Sequence, residues 1–389
     1  MIDALLPASH KCALPFIKPF ISKIPVHESE RINLKLFTVG PVACYPEVLE
    51  AMGQQMYSHR SKEYFALHYE TVKLLQNFIE TRNEVFLFSS TGTGFMEASV
   101  RNCVRKNMLC CINGSFGERF SEVATANGKT VVKLEPPLGE PILPDVLDKA
   151  LKEHPEVEAV AITHNETSAG LINPLKELAP IAKNHGKLVF VDAVSSMGGT
   201  EIKVDEWDID VCFSSSQKCF GVPPGLGIGS VSEKSLKLSE TAVDKGWYFD
   251  FKVWEDDQKK GVGTPVTPAI PQIAGLNTAL KMIEKRGGKK WYSDLYKERN
   301  LRIRRGVEKL GLSTFPKRGY ESPTVNCINA PEGIDGSVIY EKMREKGFEL
   351  AQGYGPLKKK TFRIGNMGYI EMSDIDLMLK ALSEVLSSL

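Results

Sequence analysis

Short apolar runs alternate with amphipathic segments from residue 84 to residue 193. The runs EVFLFSS (84–90), NMLCCIN (107–113) and KTVVKLE (129–135) are each followed by a segment with helical spacing of its apolar residues. EAVAITH (158–164) and KLVFVDA (187–193) continue the alternation. Strands buried on both faces of a parallel sheet are apolar almost throughout, and helices connect them. The pattern therefore predicts an α/β doubly wound fold, with a parallel sheet covered by helices on both faces.

The remainder of the chain has a different pattern. Residues 278–311 have long amphipathic helical character, whereas SPTVNCINA (322–330) and KTFRIGN (360–366) are typical of strands. A capped helix is predicted over the last residues, SDIDLMLKALSEVLSSL. These elements indicate a smaller α+β domain, and the chain is predicted to have three parts: an N-terminal arm (1–35), a large domain (36–285) and a small C-terminal domain (286–389).

Composition and charge narrow the classes of partner. The chain has 389 residues, of which 42% are hydrophobic and 25% charged, as in soluble globular proteins. The formal net charge is +1 and no long basic block is present, so nucleic acid and anionic membranes are not expected as partners. The first 31 residues contain prolines and charges but no apolar run of secretory or membrane length. We expect them to form an extended arm on the body or on a second subunit.

Cysteine usage indicates the redox environment. The eight cysteines are scattered, without CxxC pairs or His-rich spacing. This pattern argues against a zinc site or a disulfide framework and favours the reducing cytoplasm.

Three strand ends carry unusual polar segments. SSTGTG follows Phe88, THNETSAG follows Ile162, and DAVSSMGG follows Val191. In doubly wound sheets the ligand lies beyond the carboxyl ends of the strands, so these segments are candidates for chemistry.

The segment SSTGTGFMEA places small residues and two glycines between a strand and a helix. Backbone N–H groups and hydroxyls there could bind phosphate at the helix N-terminus, although a plain capped turn is the commoner explanation of such a segment alone. Asp192 ends a buried strand and needs a cationic partner unless it caps a helix. Lys218, in SSSQKCFGVPPGLG, is either a surface lysine or an amine that bonds covalently to a carbonyl. Together the three features match the phosphate, ring nitrogen and aldehyde of pyridoxal phosphate.

Five motifs in their order along the chain resemble the class V pyridoxal-phosphate aminotransferases of fold type I. Within that class the chain is most similar to the alanine–glyoxylate and serine–pyruvate or serine–glyoxylate group. The resemblance extends from residue 37 to the C-terminus and implies a mostly parallel seven-stranded sheet. It also implies transfer of an amino group from alanine or serine to glyoxylate or pyruvate by a ping-pong mechanism. The motifs are SSTGTGFMEA, THNETSAG, FVDAVSSMGG, SSSQKCFGVPPGLG and FRIGNMG.

The resemblance implies a role for each matching residue. Lys218 would hold the cofactor as an internal aldimine and then move the proton between substrate and cofactor, and Asp192 would pair with the pyridine nitrogen. Arg363 would bind the substrate α-carboxylate through two parallel donors, beside Gly40. The further cofactor-binding residues are expected to be Thr91, Gly92, Thr93 and Gln217 at the phosphate, Phe116 and Thr167 at the ring, and Thr264 and Thr267 from a neighbouring subunit. The last pair implies a homodimer with shared active sites.

Alternatives within and outside the class remain open at this point. A 2-aminoethylphosphonate–pyruvate transaminase has a phosphate-binding segment similar to SSTGTGFMEA, but FRIG and SHRSKEY (58–64) favour an amino-acid donor. A cysteine desulfurase needs a nucleophilic cysteine, and the one candidate, Cys327, lies in an apparently buried strand. A catalytically silent homologue is disfavoured because every chemical position holds a competent residue. His59 and Arg60 receive no role, since a capped helix start equally explains them.

Overall fold

A seven-stranded sheet forms the centre of residues 34–389, the part of the chain that the structure, a computed structural model, describes. Its strand order is β2-β10-β9-β8-β5-β3-β4, and β10 alone runs antiparallel to its neighbours. The predicted mostly parallel α/β sheet is confirmed. The strands are β1 (Lys35–Leu36), β2 (Glu84–Phe88), β3 (Asn107–Cys111), β4 (Thr130–Leu134), β5 (Ala159–Thr163), β6 (Asn165–Glu166), β7 (Leu171–Ile172), β8 (Leu188–Asp192), β9 (Val211–Ser215), β10 (Gly227–Val231), β11 (Val325–Asn329), β12 (Phe348–Glu349), β13 (Ala351–Gln352) and β14 (Thr361–Gly365).

Twelve α-helices accompany these strands within the described residues. None of them is long and apolar enough to cross a membrane. The helical stretch predicted over 278–311 is present as two helices, which are separated at Gly287 by a backbone φ of 119°. The helices are α1 (Pro46–Met52), α2 (Lys62–Ile79), α3 (Gly92–Cys103), α4 (Ser115–Ala126), α5 (Pro144–Glu153), α6 (Leu175–Asn184), α7 (Glu233–Thr241), α8 (Phe251–Lys259), α9 (Ile270–Lys285), α10 (Gly288–Lys309), α11 (Gly336–Glu345) and α12 (Met372–Ser387).

The sheet divides two hydrophobic cores. Successive side chains of a strand point to opposite faces, so Val189 and Val191 of β8 pack in one core and Leu188 and Phe190 in the other. Helices α2, α5, α6 and α9 cover the first face, and α3, α4 and α8 cover the second. Burial on both faces explains why the strands are apolar throughout.

A third core lies under the C-terminal elements. Strands β11, β14 and β13 form an antiparallel sheet, and α10, α11 and α12 pack against it. The described N-terminal residues join this layer, because β1 pairs with β12 and the N–H of Gly365 donates to the carbonyl of Phe37 at 2.7 Å. The division at residues 285/286 stays a prediction, and the proposed arm (1–35) lies almost wholly outside the described residues.

The topology brings the segments that carry the predicted phosphate site, Asp192 and Lys218 to one edge of the sheet. Strands β2, β8 and β9 run in the same direction, so the segments after Phe88, Val191 and Ser215 all begin at the carboxyl edge of the sheet. Strand β10 lies between β2 and β9 without changing this arrangement.

Candidate active site

Lys218 lies in a closed turn after β9. The Oγ of Ser216 donates to the carbonyl of Pro223 at 2.8 Å, and the N–H of Val222 donates to the carbonyl of Ser216 at 3.1 Å. These bonds fold the Gly/Pro-rich segment back on itself and direct the lysine inward. Only 8% of the Lys218 surface is exposed, and its Nζ donates to the carbonyl of Val39.

The environment of Lys218 makes the neutral amine more accessible than it is for an exposed lysine. Burial and, secondarily, the positive charge of Arg363 lower the pKa of Lys218 to about 8, whereas Cys219 and Asp192 act in the opposite direction. A neutral amine is a nucleophile, and an ammonium group is not.

Asp192 is a buried carboxylate that contacts no cationic partner directly in residues 34–389. It ends β8, and within the described residues its carboxylate accepts one hydrogen bond, from the N–H of Val194 at 2.9 Å. Burial raises the pKa of Asp192 to about 7; the Val194 bond and the charge of Lys218 oppose this rise, and the nearby Glu166 carboxylate adds to it. A cation brought to Asp192 would therefore stabilise its charged form strongly.

Glu166 is a buried residue that sequence reasoning missed. Its carboxylate accepts bonds from the N–H groups of Phe116 and Gly117 at 3.0 and 3.1 Å, and from the N–H and Oγ of Ser168 at 2.9 and 2.5 Å. The first two donors belong to the first turn of α4, where a carboxylate is favourable. Glu166 thereby fixes the position of Phe116. The sequence did contain a signal for Glu166, because it is an acidic residue among buried neighbours in THNETSAG, directly after a strand.

Thr167 and Arg363 are in direct contact. The Nη1 of Arg363 donates to the carbonyl of Thr167, and its Nε to the carbonyl of Gln352, both at 3.0 Å. The Nη2 of Arg363 donates to no residue in the described part of the chain, and burial lowers the pKa of this arginine. The Thr167 hydroxyl shares a 2.7 Å hydrogen bond with Ser195. A buried cation with a free donor suits an anionic ligand.

Tyr354 connects Phe116 with Arg363 and was also missed. Its ring stacks on Phe116, with centroids 6.1 Å apart and planes 11° apart, and the Cζ of Arg363 lies 5.5 Å from its centroid. The Nη2 of Arg119 donates to the Tyr354 hydroxyl at 3.3 Å. The Cζ of Arg119 lies 5.2 Å from the centroid of the Phe116 ring. Nothing in the sequence around GYGP distinguished this tyrosine from a loop residue.

The predicted phosphate-binding segment (residues 91–93) lies against Val194, two residues after Asp192. Thr91 is the N-cap residue of α3, and Gly92 and Thr93 begin the helix, so their N–H groups point out of its first turn. A Cβ on Gly92 would lie 2.4 Å from the Cγ2 of Val194, which explains why glycine is needed for this approach. Gln217 is half-buried, and its Oε1 has no hydrogen-bond partner among the described residues.

Thr264 and Thr267 are not brought into hydrogen-bond contact with this group in the described part of the chain. The Thr264 hydroxyl donates to the carbonyl of Val266 at 2.8 Å, and its own carbonyl accepts from the Nη1 of Arg60 at 3.0 Å. Thr267 is exposed. Arg60 thus holds this loop, while Ser61 caps α2, as the capped-helix explanation of SHRSKEY requires.

Cys327 lies in β11 with no exposed surface, and burial raises the pKa of its thiol to about 11. Such a thiol is protonated at neutral pH and inert, which argues against a desulfurase.

Comparison with known proteins identifies the family. Residues 42–377 match the sequence profile of the class-V aminotransferases. An uncharacterized aminotransferase of Methanocaldococcus jannaschii is 34% identical over 87% of this chain and 89% of its own. A serine–glyoxylate aminotransferase of Methylorubrum extorquens is 32% identical over 88% of each chain. The crystal structure of an alanine–glyoxylate aminotransferase from Nostoc sp. superposes with a TM-score of 0.88 at 28% identity, over 94% of this chain and 98% of that one. The chain therefore belongs to the class-V aminotransferases of fold type I and is a transaminase.

Proposed function

We propose that this protein uses pyridoxal phosphate to transfer an amino group from alanine or serine to glyoxylate or pyruvate. The family implies the cofactor, and two of the three relatives reported above act, by their names, on serine or alanine with glyoxylate. The observation that carries the proposal is Lys218, a buried lysine with a lowered pKa that lies within electrostatic reach of Asp192 and Arg363.

The unsatisfied groups of the site fit this cofactor. No cation of the described residues contacts Asp192, and a protonated pyridine nitrogen would supply one. Gln217, whose Oε1 has no partner among the described residues, follows β9, and the N–H groups of Gly92 and Thr93 follow β2. These polar groups lie at the same edge of the sheet, where a phosphate group would fit. Phe116 presents an aromatic ring for stacking, and Thr167 a hydroxyl.

Each residue then has a defined task. When bound, pyridoxal phosphate supplies an electron sink that stabilises negative charge at the substrate Cα. Lys218 would hold the cofactor through Nζ, and the same amine would be the base that moves the proton of the substrate Cα. Asp192 keeps the ring nitrogen protonated by its charge. The lowered pKa of Lys218 increases the fraction of Nζ that is unprotonated, and so able to accept a proton, near neutral pH.

Arg363 and Gly40 form the substrate side. The free Nη2 of Arg363, together with Nη1, can bind both oxygens of an α-carboxylate. Gly40 would lie beside the substrate carboxylate, and its lack of a Cβ leaves room there for the side chain of Lys218. The reaction runs in two halves, because the donor leaves as a 2-oxo acid before the acceptor takes its place at Arg363. The amino group is then passed to glyoxylate or pyruvate, giving glycine or alanine.

The proposal includes a cytoplasmic homodimer with shared sites. Thr264 and Thr267 would contact the cofactor phosphate of the neighbouring subunit, and the exposure of Thr267 in one chain leaves its hydroxyl available. Mixing an inactive Lys218→Ala variant with an inactive variant of both threonines should restore activity in hybrid dimers. An absence of restored activity in confirmed hybrids would contradict shared sites.

The central test combines cofactor mapping with turnover. Protein purified with pyridoxal phosphate should retain the cofactor on Lys218 after borohydride reduction, as peptide mapping would show, and should convert alanine and glyoxylate to pyruvate and glycine. Lys218→Ala should bind the cofactor without a covalent bond and lose transamination. A protein that takes up no cofactor, or a Lys218→Ala variant that retains full turnover, would refute the proposal.

A further inference from the structure

Tyr354 occupies a position between the proposed carboxylate site and the outside of the protein. Its ring lies against the guanidinium of Arg363 on the one hand and is parallel to Phe116 on the other. It precedes a single 3-10 turn, Gly355–Leu357, that connects β13 with β14. Despite these contacts, 39% of its surface is exposed. Tyr354 therefore forms part of the wall around Arg363.

A cavity of about 440 Å³ lies beside the ring of Tyr354. Besides Tyr354, its lining includes Glu118, Arg119, Glu122 and Leu138, but neither Lys218 nor Arg363. The cavity and the Arg363 site thus share Tyr354 as a common wall. The volume is within the range of small-molecule pockets, so removal of that wall would give a ligand at Arg363 substantial additional space.

The ring is held in place by contacts on several sides. The hydroxyl accepts from Arg119 at 3.3 Å, the face packs in parallel with Phe116, and Arg363 makes a cation–π contact. In addition, a Cβ on Gly355 would lie 2.9 Å from the Oγ of Ser115, so the turn after Tyr354 is packed closely on the first turn of α4. A wall restrained in this way cannot move aside easily for a longer ligand.

We propose that Tyr354 is a specificity-determining residue that closes the substrate site next to Arg363 and limits donors to amino acids with short side chains. The inference rests on the proposed function and names its substrate class. A donor held by its carboxylate at Arg363 has its side chain within a few ångströms of that guanidinium, where the tyrosine ring takes up the space. The ring acts by its bulk, and the Arg119 hydrogen bond orients it.

Turnover of a donor series tests the size limit. Alanine, 2-aminobutyrate and norvaline differ by one methylene each and are compared by kcat/KM with glyoxylate as a common acceptor. We expect kcat/KM in the wild type to fall at least about tenfold from alanine to norvaline, the scale on which a pocket senses extra methylenes. Tyr354→Ala should reduce this ratio below about threefold, whereas Tyr354→Phe should keep it.

Binding to the cofactor-free protein gives a second, independent measurement. Acetate, butyrate and hexanoate carry the carboxylate for Arg363 but cannot react, and calorimetry gives their dissociation constants. We expect affinity in the wild type to decrease with chain length, and Tyr354→Ala to remove this decrease. Tyr354→Leu serves if the alanine variant does not fold, as judged by its melting temperature.

Tyr340→Ala is the matched control. Tyr340 is a half-buried tyrosine of α11 whose hydroxyl also contacts an arginine, Arg344, at 3.5 Å. Tyr340→Ala should leave the dependence on chain length unchanged in both the donor series and the carboxylate series. The inference is overturned if Tyr354→Ala keeps the wild-type discrimination, or if Tyr354→Phe relaxes it equally, since bulk would then not be the cause. A wild type that turns over no amino acid would refute the proposed function instead, and the carboxylate series would still decide the role of Tyr354.

Discussion

A Cβ atom on Gly40 would lie 2.6 Å from the Nζ of Lys218 and 2.6 Å from its Cδ. The backbone before Gly40 also contacts the lysine, because the carbonyl of Val39 accepts a hydrogen bond from Nζ. Gly40 further has a φ of 111°, which L side chains rarely adopt. The turn at residues 39–40 is therefore one wall of the lysine pocket, and only glycine leaves room for the side chain.

Gly40→Ala should displace Lys218 and weaken catalysis far more than folding. A shift of a catalytic group by about 1 Å can lower a rate by about 100-fold, so we expect a fall of that order in kcat/KM with alanine and glyoxylate. Gly261→Ala is a suitable control, since Gly261 also has a positive φ, 77°, but no atom within 4 Å of its added Cβ. Equal losses of kcat/KM in the two variants would mean that backbone strain, and not displacement of Lys218, causes the effect.

The charges around Lys218 should shift its titration in opposite directions. In the cofactor-free protein the pKa of Lys218 is about 8 because of burial and, secondarily, the charge of Arg363. Arg363→Gln should therefore raise this pKa, and Asp192→Asn should lower it. The pH dependence of acetylation at Lys218, followed by mass spectrometry with surface lysines as internal reference, measures both. A shift in the same direction in both variants would contradict the arrangement.

Asp192 should make the cofactor-free protein less stable as the pH rises. The ordinary pKa of 3.8 is raised to about 7 in the fold, mainly by burial. Between these values the unfolded chain loses the proton and the folded protein keeps it, so the free energy of unfolding decreases with pH and then stays reduced above about 7. Asp192→Asn removes this loss and should be more stable than the wild type by at least about 1 kcal/mol at pH 8 but not at pH 4. Urea unfolding at both pH values measures the difference, and parallel pH profiles would contradict it.

The hydrophobic pattern predicted the sheet because strands buried on both faces leave a strong signal. It did not reveal β10, whose sequence GIGSV contains two glycines. A Cβ on Gly229 would lie 2.2 Å from Phe95, and one on Gly227 would lie 2.8 Å from the carbonyl of Thr91. These glycines allow α3 to pack closely on the strand, at the cost of the strand propensity that sequence reasoning uses.

Prediction of the candidate site from the sequence has a similar limit. Lys218, Asp192 and Arg363 follow or occupy strands in recognisable motifs, and in the structure the charges of Asp192 and Arg363 lie close enough to Lys218 to shift its pKa. Glu166 and Tyr354 act through contacts with residues 50 and 235 positions away along the chain. Such contacts depend on how separate loops meet, and a local pattern cannot contain that information.

Glu166→Gln should destabilise the protein through the first turn of α4. The carboxylate accepts four hydrogen bonds from Phe116, Gly117 and Ser168, and a buried amide replaces one acceptor oxygen with an NH₂ group that faces donors. We expect a loss of about 2 kcal/mol or more in the free energy of unfolding, measured with urea. Glu122→Gln, an exposed position on the same helix, should change it by less than about 0.5 kcal/mol. A loss in Glu166→Gln as small as that in the control would contradict the anchoring role.

The hydroxyls of Tyr292 and Tyr296 converge on the carbonyl of Cys219, the residue after Lys218. Both tyrosines are fully buried on α10. In either single Tyr→Phe variant the other hydroxyl still bonds this carbonyl, so each should lower the free energy of unfolding by about 1 kcal/mol. The double variant leaves a buried carbonyl without a donor and should lose more than the sum.

A double-mutant cycle in urea measures this coupling, and borohydride-trapped cofactor at Lys218 reports whether the lysine is displaced. Tyr69→Phe is the control, because the hydroxyl of Tyr69 also donates to a backbone carbonyl, that of Gln258, at 2.7 Å. We expect trapping to decrease in the double variant and to stay unchanged in Tyr69→Phe, because only the former releases the backbone next to Lys218. Strictly additive losses with normal trapping would mean that the two tyrosines stabilise α10 alone and do not position the lysine.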